Sequence, residues 1–104
     1  MSQAVSNFVA KSRATTVTVA ASPVYLEMMS MPYPCTITAV PGAGGTLAVA
    51  YSTTPTAISS PAGATWIAWP SGTVSAATAD TLMSPVVAVR LTATVSTATL
   101  EQVG

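Results

Sequence analysis

The chain has 104 residues and a mass of 10.4 kDa, with three basic and three acidic side chains, no histidine and one cysteine. A length of this order builds one core, and a domain at the ordinary charge content of about 25% would carry about 26 ionic side chains where this one has six. A mean hydropathy of +0.58 at zero net charge excludes a disordered chain, and three scattered cations exclude the basic surface that nucleic acid requires.

Residues 1–13 are polar, lack a clear period and hold two of the three cations, Lys11 and Arg13. They are expected to form an extended N-terminal arm ahead of a single domain over residues 14–104. They lack a basic n-region followed by an apolar h-region, so no secretory leader is expected. From Ala14 the pattern becomes two-residue alternation, with Val17 and Val19 on one face and Thr16 and Thr18 on the other, as in a half-buried strand. Val24 to Met29 reads as a second strand. The run Met28-Met29-Ser30-Met31 can instead make a helical turn or an apolar contact surface, because methionine is unbranched and adaptable.

No charge occurs from Met28 to Ala79, but Pro32, Pro34, Pro41, Pro55, Pro61 and Pro70 interrupt that stretch. No run of about 20 apolar residues survives, and no membrane partner is expected. Cys35 to Val40 and Thr46 to Tyr51 alternate cleanly around Pro41-Gly42-Ala43-Gly44-Gly45, which reads as a hairpin. Cys35, Ile37 and Ala39, and likewise Leu47, Val49 and Tyr51, are expected in the core. A lone cysteine can make neither an intrachain disulfide nor a metal cluster, so Cys35 is expected to act as a small buried hydrophobe.

Residues 52–63 are a serine-, threonine- and proline-rich loop. Ala64 to Trp69 reads as a strand ended by Pro70-Ser71-Gly72, and Thr73 to Ala77 as the start of a short one. Val86 to Thr94 and Thr97 to Val103 form a last strand pair around a turn near Val95-Ser96, with Val87, Val89 and Leu91 inward and Arg90, Thr92 and Thr94 outward. Short strands at regular intervals, with no sustained 3.6 period, predict an all-β fold: a small antiparallel β-sandwich, Ig-like or jelly-roll-like.

Acid-base catalysis requires histidine or paired carboxylates, and the acids Glu27, Asp80 and Glu101 are scattered. The serines and threonines have no histidine to activate them, and the glycines at 42–45 lack the Lys-Ser/Thr ending of a phosphate loop. No catalytic residue, metal site or cofactor is expected, and the chain is read as non-enzymatic. Trp66 and Trp69 have opposite parity on one strand, so one of them should face outward as a sugar platform or interface anchor. Arg90 stands on an otherwise neutral outer face, either solvated or paired with Asp80 or Glu101 of another subunit.

So few ions leave a surface poorly protected against self-association, and the edge strands carry no lysine to oppose strand addition. Burying two or three patches of about 800 Å² each would cover close to half of such a molecule. The chain is therefore expected to be a subunit of a larger assembly, with the arm reaching across a neighbour.

Trp69-Pro70-Ser71-Gly72-Thr73-Val74-Ser75-Ala76-Ala77, then Asp80-Thr81, then Pro85 to Thr94, resemble the small β-rich virion proteins encoded near the capsid genes of tailed bacteriophages, including decoration or cement proteins. The likeness spans about residues 46–104 and is one of texture. It implies a protein without catalysis, made in the host cytoplasm and bound to the capsid exterior, often as a trimer, with the major capsid protein and its own copies as partners. The expected interface residues are Phe8, Lys11, Arg13, Met28, Met29, Met31, Trp66 and Arg90. A phage tail or fibre module shares the composition, and a carbohydrate-binding β-sandwich would use Trp66 or Trp69.

Overall fold

A computed structural model describes residues 11–104. Eight strands follow one another: β1 (Ser12–Val17), β2 (Val24–Glu27), β3 (Cys35–Val40), β4 (Thr46–Ser52), β5 (Ile67–Val74), β6 (Thr78–Leu82), β7 (Ala88–Thr94) and β8 (Ala98–Val103). They form two antiparallel sheets, β1-β8-β3-β6 and β2-β7-β4-β5, packed as a sandwich. The pairing runs 1 with 8, 2 with 7, 3 with 6 and 4 with 5, as if one long hairpin had been rolled up. That is the jelly-roll arrangement, so of the two sandwich types the sequence allowed, the strand order selects this one. No helix among the described residues is long and apolar enough to cross a membrane.

The alternation read from the sequence places the faces. Cys35, Ile37 and Ala39 of β3 are fully buried beside Leu100 of the neighbouring strand β8, and Leu47, Val49, Val89 and Leu91 meet them from the facing sheet. Each of the buried leucine, isoleucine and valine side chains contributes about 1.5–3 kcal/mol on leaving water. Tyr51 is half-buried on the same face as Leu47 and Val49, against the core.

Two connections differ from expectation. β3 and β4 do not pair with each other, and neither do β7 and β8; each couple lies in opposite sheets. The glycine-rich segment is thus an arch that carries the chain across the core, held by the Gly45 N–H donating to the Gly42 carbonyl at 3.0 Å. Glycine is needed there for close approach. A β-carbon on Gly42 would overlap the Thr97 carbonyl, and one on Gly45 the Thr94 carbonyl, in the neighbouring β7–β8 arch. Ser96 Oγ donates to the Ala43 carbonyl and completes the contact. The register puts the β1–β2 and β5–β6 arches at this same end.

β5 also departs from the sequence reading, which broke it at Pro70. It runs through Pro70 to Val74, with Trp69 to Gly72 bulging opposite the single residue Val49. A proline is tolerated because β5 is an edge strand, and Gly72 supplies the turn with φ +65°. Alternation from outward-facing Ala68 points Trp69 into the core at the start of the bulge, and its indole N–H donates to the Gly72 carbonyl across it.

The expected boundary at residue 14 shifts as well. β1 begins at Ser12, and just ahead of it Lys11 and Gly104 exchange two backbone hydrogen bonds of 2.9 Å. Lys11, Ser12 and Arg13 therefore belong to the sandwich; the rest of the expected arm, including Phe8, lies outside the described residues.

The edges are protected despite their lack of lysine. β1 and β6 each turn a charge inward, Arg13 and Asp80; β5 carries the proline and the bulge, and β2 is only four residues long. Strand addition is thus opposed by inward charge and irregular backbone.

Val95, at the tip of the β7–β8 arch, holds φ +70° with the Ser96 N–H bonded to the Thr94 carbonyl at 2.8 Å, a tight reversal that strains a β-branched residue. Val95→Gly should raise the urea midpoint by about 1 kcal/mol of stability at unchanged slope, whereas Gly45→Ala should lower it by about 1–3 kcal/mol. Equal effects of the two substitutions would contradict the packing of the arches.

Candidate interaction surface

Of the eight residues expected to make contacts, five gather at the end opposite the arches. Arg13 points inward from β1 and donates through Nε to Gln102 Oε1 at 2.6 Å and through Nη2 to the Glu27 carbonyl at 3.0 Å and to Met28 Sδ at 3.2 Å. Gln102 is fully buried, and its Nε2 also donates to Met28 Sδ, at 3.0 Å. Tyr33 closes the group, its hydroxyl donating to the Met28 carbonyl at 3.2 Å and accepting from the Val86 N–H at 3.4 Å. Met28 and Met31 are therefore core residues that support this end, and Met29, 66% exposed between them, is the methionine that faces solvent. Lys11 Nζ donates to the Ser30 carbonyl at 3.2 Å.

Electrostatics at this end follow from burial and hydrogen bonding. Glu27 accepts from the Ser30 hydroxyl and from the Ser30 N–H, both at 2.9 Å, and these bonds hold its carboxyl below the usual range. Burial pushes the Tyr33 phenol and the Cys35 thiol up, so Cys35 stays a protonated, buried hydrophobe as expected.

Trp66 and Arg90 come together on the outer face of the other sheet. Tyr25 of β2 is the register partner of Arg90 on β7. The Trp66 ring lies 5.1 Å from the Arg90 guanidinium and 5.6 Å from the Tyr25 ring, tilted by 42°. Its indole N–H donates to the Pro61 carbonyl at 2.9 Å, which ties the cluster to the β4–β5 loop. Ala50, Ser52 and Ala88 are outward-facing yet buried, so this loop covers part of the sheet. Trp69, at 2% exposure, cannot act as a sugar platform.

The outer face of the first sheet is nearly uncharged. Its register rows run Ser12-Val103-Thr36-Thr81, then Ala14-Glu101-Thr38-Ala79, then Thr16-Thr99-Val40. Glu101 is its one ionic side chain, beside a shallow hollow of about 380 Å³ over the β1–β8 pair, lined on the outer face by Ser12, Ala14, Glu101 and Val103. A second hollow, about 290 Å³, lies between Tyr51, Pro70, Leu82 and the exposed Met83. Among the described residues no group of three or more histidine, cysteine or acidic side chains could hold a metal ion.

Sequence reasoning missed Tyr25, Gln102 and Tyr33. Tyr25 could have been found from its odd parity beside Leu26. The other two act through partners 53 and 74 residues away, which no local pattern signals. Comparison with models of protein families, with curated proteins and with solved structures finds no match to this chain.

Two outcomes test this end. Arg13→Ala removes the charged donor from Gln102 and should cost about 1–3 kcal/mol in denaturant unfolding, part of it recovered when Gln102→Leu is added. Because Glu27 is held ionised in the fold, its stabilisation is present above the carboxyl range and lost as pH falls through the lowered value. The melting-temperature advantage of the native chain over Glu27→Gln should therefore shrink from about pH 5 to about pH 3; an advantage that grows with acidity would reverse the assignment.

Proposed function

We propose that this chain is a structural protein of a bacteriophage particle, a decoration or cement protein that binds the capsid exterior and braces it by bridging neighbouring capsid subunits. It works without catalysis. Its partners are the major capsid protein and further copies of itself, and its place is the virion surface after synthesis in the host cytoplasm.

The observation that carries this reading is where the charge sits. Of six ionic side chains on 5,561 Å² of surface, only Lys11, Glu27 and Glu101 are exposed; Arg13 and Asp80 are half-buried and face the sandwich interior, and Arg90 is half-buried against the Trp66 ring. A molecule so sparsely charged suits a place where neighbours cover it. The jelly roll supports the reading, since this architecture recurs in viral capsid domains. Cupins and lectins also use it, but this chain has no histidine to offer a metal, and its buried Trp69 and loop-tethered Trp66 make a poor sugar platform.

The protected edges refine the mode of attachment. With inward charges on β1 and β6 and a bulged β5, contact through sheet faces and loop ends is favoured over strand addition.

The test is to label the chain with gold-tagged antibody on intact particles and image them by electron microscopy. Label spread over the head shell is the expected result. Label confined to the tail would replace this reading with a tail or fibre module, and unlabelled particles would overturn it.

A further inference from the structure

Four of the six ionic side chains find partners within the chain. Arg13 is bonded to Gln102 and the Glu27 carbonyl, Lys11 to the Ser30 carbonyl, Glu27 to Ser30, and Asp80 to the Ser71 hydroxyl and the Thr81 N–H, both at 2.8 Å. Among the described residues, Arg90, stacked on Trp66, and Glu101 have no hydrogen-bond partner for their side chains. They have opposite sign and occupy outer faces of different sheets, so the thickness of the sandwich keeps them apart within one copy. Every buried side-chain nitrogen and oxygen among the described residues has a partner, so the unused donors of Arg90 and acceptors of Glu101 face solvent.

We propose that copies of this chain bind one another head to tail, the Tyr25-Trp66-Arg90 cluster of one copy seating on the Glu101 face of the next. The inference rests on the proposed function only in treating the chain as an assembly subunit. Three observations converge on a second copy as the occupant.

Charge complementarity is the first. A planar guanidinium held over an indole ring keeps its fork of N–H donors ready for a carboxylate, and among the described residues Glu101 is the carboxylate without a hydrogen-bond partner. Composition is the second: Trp, Tyr and Arg are the residues that dominate binding energy at interfaces, and here they meet on one outer face. Shape is the third. The cluster is aromatic and stands over small neighbours such as Ala50 and Ala68, while the Glu101 face offers a hollow of about 380 Å³. Arg13 turns its charge to the other side of the sheet, onto Gln102, which leaves Glu101 as the ionic side chain on the outer face beside that hollow.

Symmetry decides against the simpler dimer. A two-fold contact through either face joins the same face of both copies and cannot bring Arg90 of one to Glu101 of the other, whereas the head-to-tail contact pairs these unlike charges. Each copy then presents one donor face and one acceptor face, so association continues beyond two copies into a ring or a filament.

Sedimentation velocity of the full chain over a concentration series tests this. The native chain should form species larger than a dimer, and Arg90→Glu and Glu101→Arg should each weaken association at least about tenfold. An equimolar mixture of the two variants should reassociate, because each supplies the charge the other has lost, and the double variant should do so alone. A native chain that stays monomeric, a single variant that associates as the native chain does, or a mixture that stays apart would overturn the proposal. Should either variant lose cooperative melting, Arg90→Gln and Glu101→Gln replace them, with weakened association expected and native association contradicting it. Particle labelling reads a separate property, so head labelling with unchanged self-association would reject this contact and leave the proposed function standing.

Discussion

Scarcity of charge is the constraint from which the rest of this molecule follows. Six ionic side chains must serve a 104-residue fold, and the structure places half of them facing inward or stacked on an aromatic ring. Arg13 and Asp80 face into the sandwich from the two edge strands of one sheet, which protects those edges from strand addition. The same placement leaves the sheet faces to threonine, alanine, valine and serine. Solubility is thus traded against edge protection, and the neutral faces that result are what a permanently covered subunit can tolerate.

The architecture was legible from local pattern where burial has a period of two. Ile37, Leu47, Val49, Val89 and Leu91 all point inward as alternation requires, and Cys35 is the buried hydrophobe its solitude suggested. Pairing was not legible. A glycine-rich reversal between alternating strands says that the chain turns, but not whether it turns within a sheet or across the core. Here that choice depends on Gly42 and Gly45 lying against Thr97 and Thr94, more than 45 residues further on. Pro70 misled for a related reason: it forbids a central strand, yet β5 is an edge and its bulge absorbs the missing donor.

The candidate surface was legible in its parts and not in its arrangement. Lys11, Arg13 and the methionines do gather at one end, but Met28 and Met31 are packed beneath it and only Met29 is presented. A run of methionines has no intrinsic direction; the turn closed by the Met31 N–H on the Met28 carbonyl, at 3.1 Å, assigns which members face the core. Trp66, Arg90 and Tyr25 lie far apart in sequence, with no local pattern that joins them. Their meeting depends on the β4–β5 loop folding back over the sheet, with Pro61 holding the indole N–H. Opposite parity of the two tryptophans did foretell that one would be buried and the other reach the outer face.

The arrangement also concentrates interaction chemistry at few points. Outside the Tyr25-Trp66-Arg90 cluster and Glu101, the sheet faces offer mainly shape and small neutral side chains, so specificity falls to those points and to the loop ends. The central claim is that these neutral faces attract one another. Static light scattering of the purified chain across a concentration series measures that directly. The account predicts a negative second virial coefficient and an average mass that climbs above 10.4 kDa as concentration rises. A constant mass of 10.4 kDa with a positive coefficient, up to crowded concentrations, would contradict it.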